Sequence, residues 1–400
     1  MTNNSWYNRA SNVLPTGAST GSKRADALYG GDPPYGPTHF KRASGCRVET
    51  ADGRELIDCT MALGSVALGY ADPRVTQAVS QVVASGNVAG LSHVLEVELA
   101  ERLCEVIPGA EAARFLKTGG EGVAAAVRLA RAYTGRDALI ACGYFGWLDW
   151  SSNEAGVPQP VTDMVTLIPF DDVTSLDEAV NELDSDLAAI VIEPVIERLP
   201  SLEWIRRTRD VCDARGAVLI FDELKTGFRL TTAGYQEYSS ITPDLSVFGK
   251  ALANGFPLSV VCGRKDLMDT AKRTWISSTL AGEATALAAA GAVLDIHATS
   301  DVCGGLARIG SEMRQRANSA IGDSGLAGVT TNGIDQMWLL RFDRDESETA
   351  FLLAAVEHGV LFKRGAYNFA ALAHDDALDS IGAAAANAFD AVRHTQATST

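Results

Sequence analysis

An uninterrupted run of apolar residues, Val218–Phe221, ends abruptly in two carboxylates, Asp222 and Glu223. The run has the length of a strand and lacks alternating polar residues, which is typical of a strand buried on both faces. Open parallel sheets bind ligands at the carboxyl ends of their strands, so Asp222 lies where a buried acid can face a ligand. A buried carboxylate is costly without a cationic partner, and a protonated ring nitrogen is such a partner.

A second apolar run follows Asp244 and ends at Lys250, before a turn-rich segment. A lysine at a strand end, beside a buried acid on a neighbouring strand, suggests a Schiff-base lysine with pyridoxal phosphate as cofactor. Lys117 and Lys225 are the alternative candidates for this Schiff-base lysine.

A glycine-rich loop, residues 117–122, separates a predicted strand over 113–116 from an alanine-rich helix. The free backbone N–H groups and the positive end of such a helix attract anions. The loop therefore predicts a phosphate cradle at Thr118, Gly119 and Gly120.

The two strings Phe-Asp-Glu-x-x-Thr-Gly-Phe-Arg and Phe-Gly-Lys-Ala-x-x-Asn-Gly-x-Pro contain Asp222 and Lys250. They resemble the class III aminotransferases, and most of all their glutamate-1-semialdehyde aminomutase branch. The resemblance extends from about Leu14 to His374. It implies the α/β fold of type I pyridoxal-phosphate-dependent transferases, with a large domain built on a mainly parallel seven-stranded sheet covered by helices. A small α+β domain is expected from both termini.

Domain boundaries follow from the same resemblance. Residues 1–60 are expected to form an N-terminal arm and part of the small domain, residues 61–300 the large cofactor-binding domain, and residues 301–400 the rest of the small domain.

The resemblance also implies roles for single residues. Lys250 and Asp222 would be catalytic, with Lys250 as the Schiff base and proton shuttle and Asp222 holding the ring nitrogen protonated. The further residues implied to bind the cofactor are Thr118, Gly119, Gly120, Tyr144, Phe145, Glu193, Leu224 and Thr279. A homodimer is expected, in which Thr279 reaches the partner's cofactor. Arg24 and Arg364 are candidates for substrate binding, and no metal site is predicted.

Three of these assignments have structural alternatives. Tyr144 is also compatible with an ordinary core aromatic residue. Thr279 precedes a predicted helix and is also compatible with a plain helix cap. Arg24 lies next to Lys23, and two adjacent basic residues are equally typical of a solvated loop.

The chain departs from the family pattern at several positions. Gly120 stands where a hydroxyl residue is usual, and Phe145 replaces a histidine. The segment 150–165 is shorter than the gating loop of the aminomutase. Arg364, Tyr367 and Asn368 occupy the region where the aminomutase has a glutamate. The short segment and the missing glutamate argue against glutamate-1-semialdehyde as the substrate.

Composition excludes some classes of protein. The net charge of −16 argues against a surface for nucleic acid or anionic membranes. Seven scattered cysteines without a C-x-x-C motif predict free thiols in a reducing compartment, and hence a cytoplasmic protein. No signal peptide and no apolar stretch of about 18 residues is evident.

Four functions remain to be compared. The leading hypothesis is an aminotransferase in a biosynthetic pathway, acting between an amino acid or amine donor and a keto or aldehyde acceptor. The rival within the same chemistry is an aminomutase or epimerase. A nicotinamide dehydrogenase would need G-x-G-x-x-G at a strand–helix junction, which we do not find. A non-catalytic scaffold would not need Lys250 and Asp222.

Overall fold

The computed structural model describes residues 4–31, 34–183 and 186–398. In it, the strand predicted from the apolar run is present as Val218–Asp222 and is buried throughout. The strands, in chain order, are β1 (Phe40–Ser44), β2 (Arg47–Thr50), β3 (Glu55–Asp58), β4 (Ala112–Leu116), β5 (Ala138–Cys142), β6 (Val165–Leu167), β7 (Leu187–Ile192), β8 (Val218–Asp222), β9 (Leu245–Gly249), β10 (Ser259–Gly263), β11 (Val329–Ile334), β12 (Met337–Phe342), β13 (Val360–Leu361) and β14 (Asn368–Phe369).

Helices separate most of these strands. They are α1 (Asn4–Val13), α2 (Ala25–Tyr29), α3 (Met61–Gly64), α4 (Pro73–Ser85), α5 (Val94–Val106), α6 (Gly119–Thr134), α7 (Gln159–Thr162), α8 (Val173–Leu183), α9 (Leu202–Arg215), α10 (Tyr235–Ser239), α11 (Lys265–Met268), α12 (Ala284–Thr299), α13 (Val302–Ser324), α14 (Asp345–Glu357) and α15 (Leu378–Thr398). Short 3₁₀ helices lie at Pro15–Gly17, Gly21–Lys23, Asp149–Ser151, Lys250–Ala253, Asp269–Arg273 and Leu372–Ala377.

The chain divides into two compact units. The large unit is Pro73–Cys303, and the small unit combines Met1–Asp72 with Gly304–Thr400. The breaks between the units lie near the domain boundaries predicted after residues 60 and 300. The assignment of functional domains to these ranges stays a prediction.

The large unit is built on a seven-stranded sheet in the order β4-β10-β9-β8-β7-β5-β6. Strand β10 pairs antiparallel with both of its neighbours, and the other pairs in the sheet are parallel. Strands β5, β7, β8, β9 and β10 are buried along their whole length, which explains their continuous apolar runs. The predicted fold, with its mainly parallel sheet, is confirmed.

Helix α6 covers one face of this sheet. Its buried residues Val123, Ala126 and Leu129 belong to the same hydrophobic cluster as Ile220 and Val247 of the sheet. Burial of side chains of this kind contributes about 1.5–3 kcal/mol for each large aliphatic residue. The packing therefore fixes the N-terminus of α6 relative to the strand ends.

The small unit joins both ends of the chain. Strand β2 pairs antiparallel with β3 across the turn at Asp52 and Gly53, which forms a hairpin. Strand β13, from the C-terminal part, extends the same sheet by pairing parallel with β3. A separate sheet has the order β11-β12-β14.

An unusual backbone turn follows β3. Met61, Ala62 and Leu63 have φ angles of 43°, 50° and 59°, and Gly64 continues the left-handed turn at 81°. Left-handed helical geometry costs about 1–2 kcal/mol for each non-glycine residue. A Cβ at Gly64 would lie 2.7 Å from the ring of Phe369, so glycine is required here on steric grounds as well.

All seven cysteines have free thiols, and five of them are buried, as predicted. In the described part of the chain, no single helix has the length and apolar composition to cross a membrane, although α12 and α13 meet that test when taken together across a bend. The cytoplasmic location stays a prediction.

Candidate active site

Five strand ends bring the predicted site residues to one edge of the large sheet. Because β4, β5, β7, β8 and β9 are mutually parallel, their carboxyl ends lie on the same side. The residues that end or follow these strands, which we call the carboxyl edge, are Lys117, Thr118, Gly143, Tyr144, Glu193, Asp222 and Lys250.

Asp222 is the last residue of β8 and is only 3% exposed. Its Oδ1 accepts a hydrogen bond of 3.0 Å from the backbone N–H of Leu224. Burial raises the pKa of Asp222 to about 6, against the opposing effects of the Leu224 hydrogen bond and of Lys250. This carboxylate is therefore suited to a cationic partner that has a proton to share.

The adjacent carboxylate, Glu223, has a different environment. It is fully buried and accepts hydrogen bonds from the backbone N–H groups of Tyr235 and Gln236, at 2.8 and 2.9 Å, and from the hydroxyl of Thr226. These bonds anchor the start of α10 to the end of β8. Glu223 is therefore structural.

Lys250 follows β9, which pairs directly with β8. Its backbone is left-handed, with φ of 48°, and it begins a 3₁₀ turn. Burial lowers the pKa of Lys250, Arg229 acts in the same direction, and Asp222 opposes both. A lysine with a lowered pKa has a larger fraction of uncharged, nucleophilic amine at neutral pH.

The N-terminus of α6 has the form of an anion cradle. Thr118 caps the helix, and the Glu121 carboxylate accepts the N–H of Thr118 at 2.8 Å and that of Lys117 at 3.1 Å. Among the described residues, the N–H groups of Gly119 and Gly120 have no acceptor. These two groups are therefore available to a phosphate.

The cradle is shaped by close contacts. A Cβ at Gly119 would lie 2.4 Å from Leu224, and one at Gly249 would lie 2.7 Å from the same side chain. By contrast, the nearest atom to a Cβ at Gly120 would be the Phe145 carbonyl oxygen at 3.6 Å. There is thus room for the side chain that this position lacks.

The two aromatic residues predicted at the turn after β5 lie in different surroundings. Tyr144 is 76% exposed, which excludes the alternative of a core aromatic residue. Phe145 is buried, and its ring packs on Trp150 at a centroid distance of 5.5 Å. Contacts of Phe145 with a ligand would therefore involve its backbone, and its cofactor role stays a prediction.

Glu193 connects three strand ends. Its Oε1 forms an ion pair with Lys225, and its Oε2 accepts the N–H of Tyr144 at 3.3 Å. Burial lowers the pKa of Lys225 to about 7, and the nearby Lys250 acts in the same direction. Sequence reasoning considered Lys225 only as a rival to Lys250 and missed this pair. The sequence feature that could have indicated the pair is the position of Lys225, three residues after Asp222, together with a second strand that ends in an acid, Glu193.

Sequence reasoning also missed Ser259. Strand β10 runs antiparallel and therefore begins at the carboxyl edge. The hydroxyl of Ser259 donates to the Thr118 carbonyl at 2.7 Å and ties the cradle to the sheet. Nearby, Lys117 is paired with Glu283 at 2.8 Å.

Three other predicted residues lie outside this group of contacts. Thr279 is exposed, and the N-cap of α12 is Glu283, so Thr279 is not a plain helix cap. Arg24 is exposed in the small unit. Arg364, also in the small unit, donates to the Thr349 hydroxyl at 2.9 Å and lies 3.8 Å from Glu348. Their predicted roles stay predictions.

The residues present fit pyridoxal phosphate. A buried acid suits its ring nitrogen, a half-buried lysine with a lowered pKa suits its carbonyl carbon, and two unpaired backbone N–H groups at a helix N-terminus suit its phosphate. No group of three or more histidine, cysteine or acidic side chains that could hold a metal occurs among the described residues.

Comparison with known proteins identifies relatives of the chain. The family model "Aminotransferase class-III" matches residues 31–373. Glutamate-1-semialdehyde 2,1-aminomutase of Methanothermobacter thermautotrophicus is 36% identical over 280 residues, which span 66% of this chain and 65% of that enzyme. 3-Aminobutyryl-CoA aminotransferase of Cloacimonas acidaminovorans is 28% identical and matches over 93% of this chain and 92% of that one.

A solved structure has a closely similar fold. It is described as the pyridoxal phosphate internal aldimine form of the FumI protein of Sphingopyxis sp. MTA144, and it matches with a TM-score of 0.93 and 28% sequence identity. The match covers 99% of this chain and 97% of that one.

Proposed function

The chain belongs to the class III aminotransferase family, and we propose that it is an aminotransferase of a biosynthetic pathway. It would move an amino group between an amino acid or amine donor and a keto or aldehyde acceptor, with pyridoxal phosphate as its cofactor. The observation that carries the proposal is the placement of buried Asp222 and half-buried Lys250 at the ends of two paired strands.

When bound, pyridoxal phosphate acts as an electron sink for the carbon that carries the amino group. Asp222 would hold a proton at the ring nitrogen, since its burial favours a shared proton over a bare charge. Lys250 would supply the amine that anchors the cofactor, and it would then accept and return protons near the reacting carbon. Its lowered pKa suits both tasks.

The remaining residues would hold and shield the cofactor. The N–H groups of Gly119 and Gly120 and the hydroxyl of Thr118 would bind the phosphate at the start of α6. Leu224 fills the space between Gly119 and Gly249 and would support one side of the ring. Tyr144 would cover the ring and exclude water, with Glu193 fixing its backbone.

We also propose that the protein is a homodimer in which Thr279 reaches the partner's cofactor. The region around Thr279 supports this because it exposes large apolar side chains: Trp275 is 88% exposed and Leu280 is 50% exposed. Thr279 and Leu91, which is 86% exposed, line the same cavity of 370 Å³. Light scattering coupled to size-exclusion chromatography tests this, and a monomer alone would contradict it.

An aminomutase or epimerase is the second candidate, because a relative at 36% identity bears the name of an aminomutase. Such an enzyme returns the amino group to the same carbon skeleton. Two features of the sequence favour the aminotransferase. Arg364 and Tyr367 occupy the region where the aminomutase has a glutamate, and the segment 150–165 is short.

The two candidates differ in whether a free keto product appears. We would incubate the enzyme with a panel of amino donors and one keto acceptor, and analyse the products by mass spectrometry beside Lys250→Ala. An aminotransferase forms one keto acid or aldehyde per donor consumed. Isomerisation or racemisation without such a product would establish the second candidate instead.

A further inference from the structure

The small unit contains a cavity of 250 Å³ that is open to solvent on one side, which we call the arm cavity. Its wall is mainly apolar and includes Leu28 and Pro37 from the N-terminal segment, Leu56 from β3, and Leu63 from the left-handed turn. A cavity of about 150 Å³ is enough to hold benzene, so this one can hold a body of roughly ten non-hydrogen atoms.

One charged group in this wall lacks an acidic partner. Lys363 is 6% exposed, and its ammonium donates to the Ala27 carbonyl at 3.0 Å. Among the described residues, no carboxylate lies within ion-pair distance of Lys363. The acid that acts on the charge of Lys363 is Glu348. Its carboxylate already faces Arg364 and accepts a hydrogen bond from the N–H of Gly365. Lysine is rarely buried without a paired charge, so this ammonium has spare capacity for an anion.

The acid in the wall does not supply that charge. Asp58 is buried and lines the cavity, but its two oxygens accept the N–H of Thr60 and the hydroxyl of Tyr70, each at 2.7 Å. Exposed Lys23 lines the cavity as well. The wall thus carries two cationic groups, Lys363 and Lys23, and one acid, Asp58, whose oxygens already accept hydrogen bonds from nearby donors. The wall is therefore positively charged.

The cavity also coincides with the strained turn. Ala62 and Leu63, both left-handed, contribute to its wall. Strain of this kind persists only where the surrounding structure imposes it, and it is concentrated at sites that bind ligands. Cavity, unpaired cation and strained turn therefore coincide in one place.

We infer that the arm cavity binds a small apolar carboxylic acid, whose carboxylate contacts Lys363 and whose hydrocarbon body packs against Leu28, Leu56 and Leu63. Two sources can supply this chemistry: the acid portion of the enzyme's own substrate, or a separate effector acid. The site is defined by the small unit alone and does not depend on the reaction proposed above.

The test is calorimetric binding of 3-phenylpropionate to the cofactor-loaded full-length protein. The alcohol 3-phenyl-1-propanol, which has the same body without the charge, is the comparison ligand. We expect the acid to bind at least tenfold more tightly than the alcohol, because only the acid can accept a charge-assisted hydrogen bond from the Lys363 ammonium. Equal binding of the two ligands, or no binding of the acid, would overturn the inference.

Variants locate the site. Lys363→Met should reduce acid affinity at least tenfold, and Leu63→Trp should abolish binding of both ligands by filling the space. Lys41→Met, at an exposed lysine of the same unit, should bind as the unaltered protein does. If Lys363→Met fails to fold, Leu63→Trp and the comparison of the acid with the alcohol still show whether the arm cavity binds the acid. Unchanged acid affinity in Leu63→Trp would contradict the assignment.

The source of the acid follows from competition. If 3-phenylpropionate competes with an amino donor in steady-state turnover, the acid portion of the substrate occupies the cavity; binding without competition identifies an effector site. Binding of the acid by a protein that exchanges no amino group would leave the inference standing while removing the proposed function.

Discussion

The ammonium of Lys225 forms an ion pair with Glu193 at the carboxyl edge, and the same carboxylate also receives the N–H of Tyr144. Both side chains of the pair are more than four-fifths buried. One carboxylate thus ties together the ends of β5, β7 and β8. The turn that carries Tyr144 is held in place by this arrangement.

Replacing Lys225 by methionine should be strongly destabilising. The substitution leaves Glu193 as a buried charge without its counter-ion, which costs about 3–5 kcal/mol. Urea unfolding at neutral pH measures the loss. The double variant Lys225→Met/Glu193→Gln removes both charges and should recover most of it. A single variant as stable as the unaltered protein would show that the pair contributes nothing.

Asp222→Asn should stabilise the cofactor-free protein in a pH-dependent way. The folded-state pKa of Asp222, about 6, lies above the unfolded value near 3.9. Protonated Asp222 therefore makes its full contribution to the stability of the unaltered protein below pH 3.9, and this contribution is lost as the pH rises through 6. A shift of about 2 units corresponds to about 3 kcal/mol.

The Asp222→Asn variant does not titrate at this position. It should therefore be more stable than the unaltered protein by about 3 kcal/mol near pH 8 and equally stable near pH 4. Denaturant unfolding at the two pH values measures both differences. Cofactor retention should change in the opposite sense, with Asp222→Asn releasing pyridoxal phosphate more readily. A stability difference independent of pH would contradict the burial argument.

The two glycines of the cradle should respond differently to an added methyl group. Gly119→Ala places a Cβ 2.4 Å from Leu224 and should cost about 1–3 kcal/mol in stability and weaken cofactor binding at least tenfold. Gly120→Ala meets no atom closer than 3.6 Å and should be neutral or stabilising, since alanine favours a helix by up to about 1 kcal/mol. Equilibrium dialysis of pyridoxal phosphate and thermal unfolding compare them. Equal effects at both positions would rule out this description of the cradle.

Tyr144 and Phe145 provide a second matched pair. Tyr144→Ala removes an exposed ring and should change stability by less than about 0.5 kcal/mol while weakening cofactor retention. Phe145→Ala removes a buried ring packed on Trp150 and should cost about 3–5 kcal/mol. Unfolding and dialysis experiments on both variants separate the effects. Full cofactor retention in Tyr144→Ala would contradict the role proposed for this ring.

Much of the site could be predicted because its residues end buried strands. Asp222 and Lys250 each follow an apolar run, and the parallel sheet brings such ends to one edge. Thr118 to Gly120 were predicted from a local signal, a glycine-rich turn before a helix. The family resemblance then gave the order of these elements and the number of strands in the sheet.

Other features depend on contacts between distant segments. The Lys225–Glu193 pair joins residues on different strands, and Ser259 reaches the edge only because β10 runs antiparallel. The left-handed turn at 61–64 carries three non-glycine residues, so composition gave no sign of it. The side chain of Phe145 is buried and packs on Trp150, which no local pattern indicates.

The most direct test of the central claim is the visible absorbance of the purified protein, recorded beside Lys250→Ala before and after addition of amino donors. We predict a cofactor band in the unaltered protein that borohydride bleaches, that Lys250→Ala lacks, and that one donor converts to the pyridoxamine form of the cofactor. An unaltered protein that shows no such band when supplied with pyridoxal phosphate would contradict the assignment of Lys250, and with it the proposed reaction.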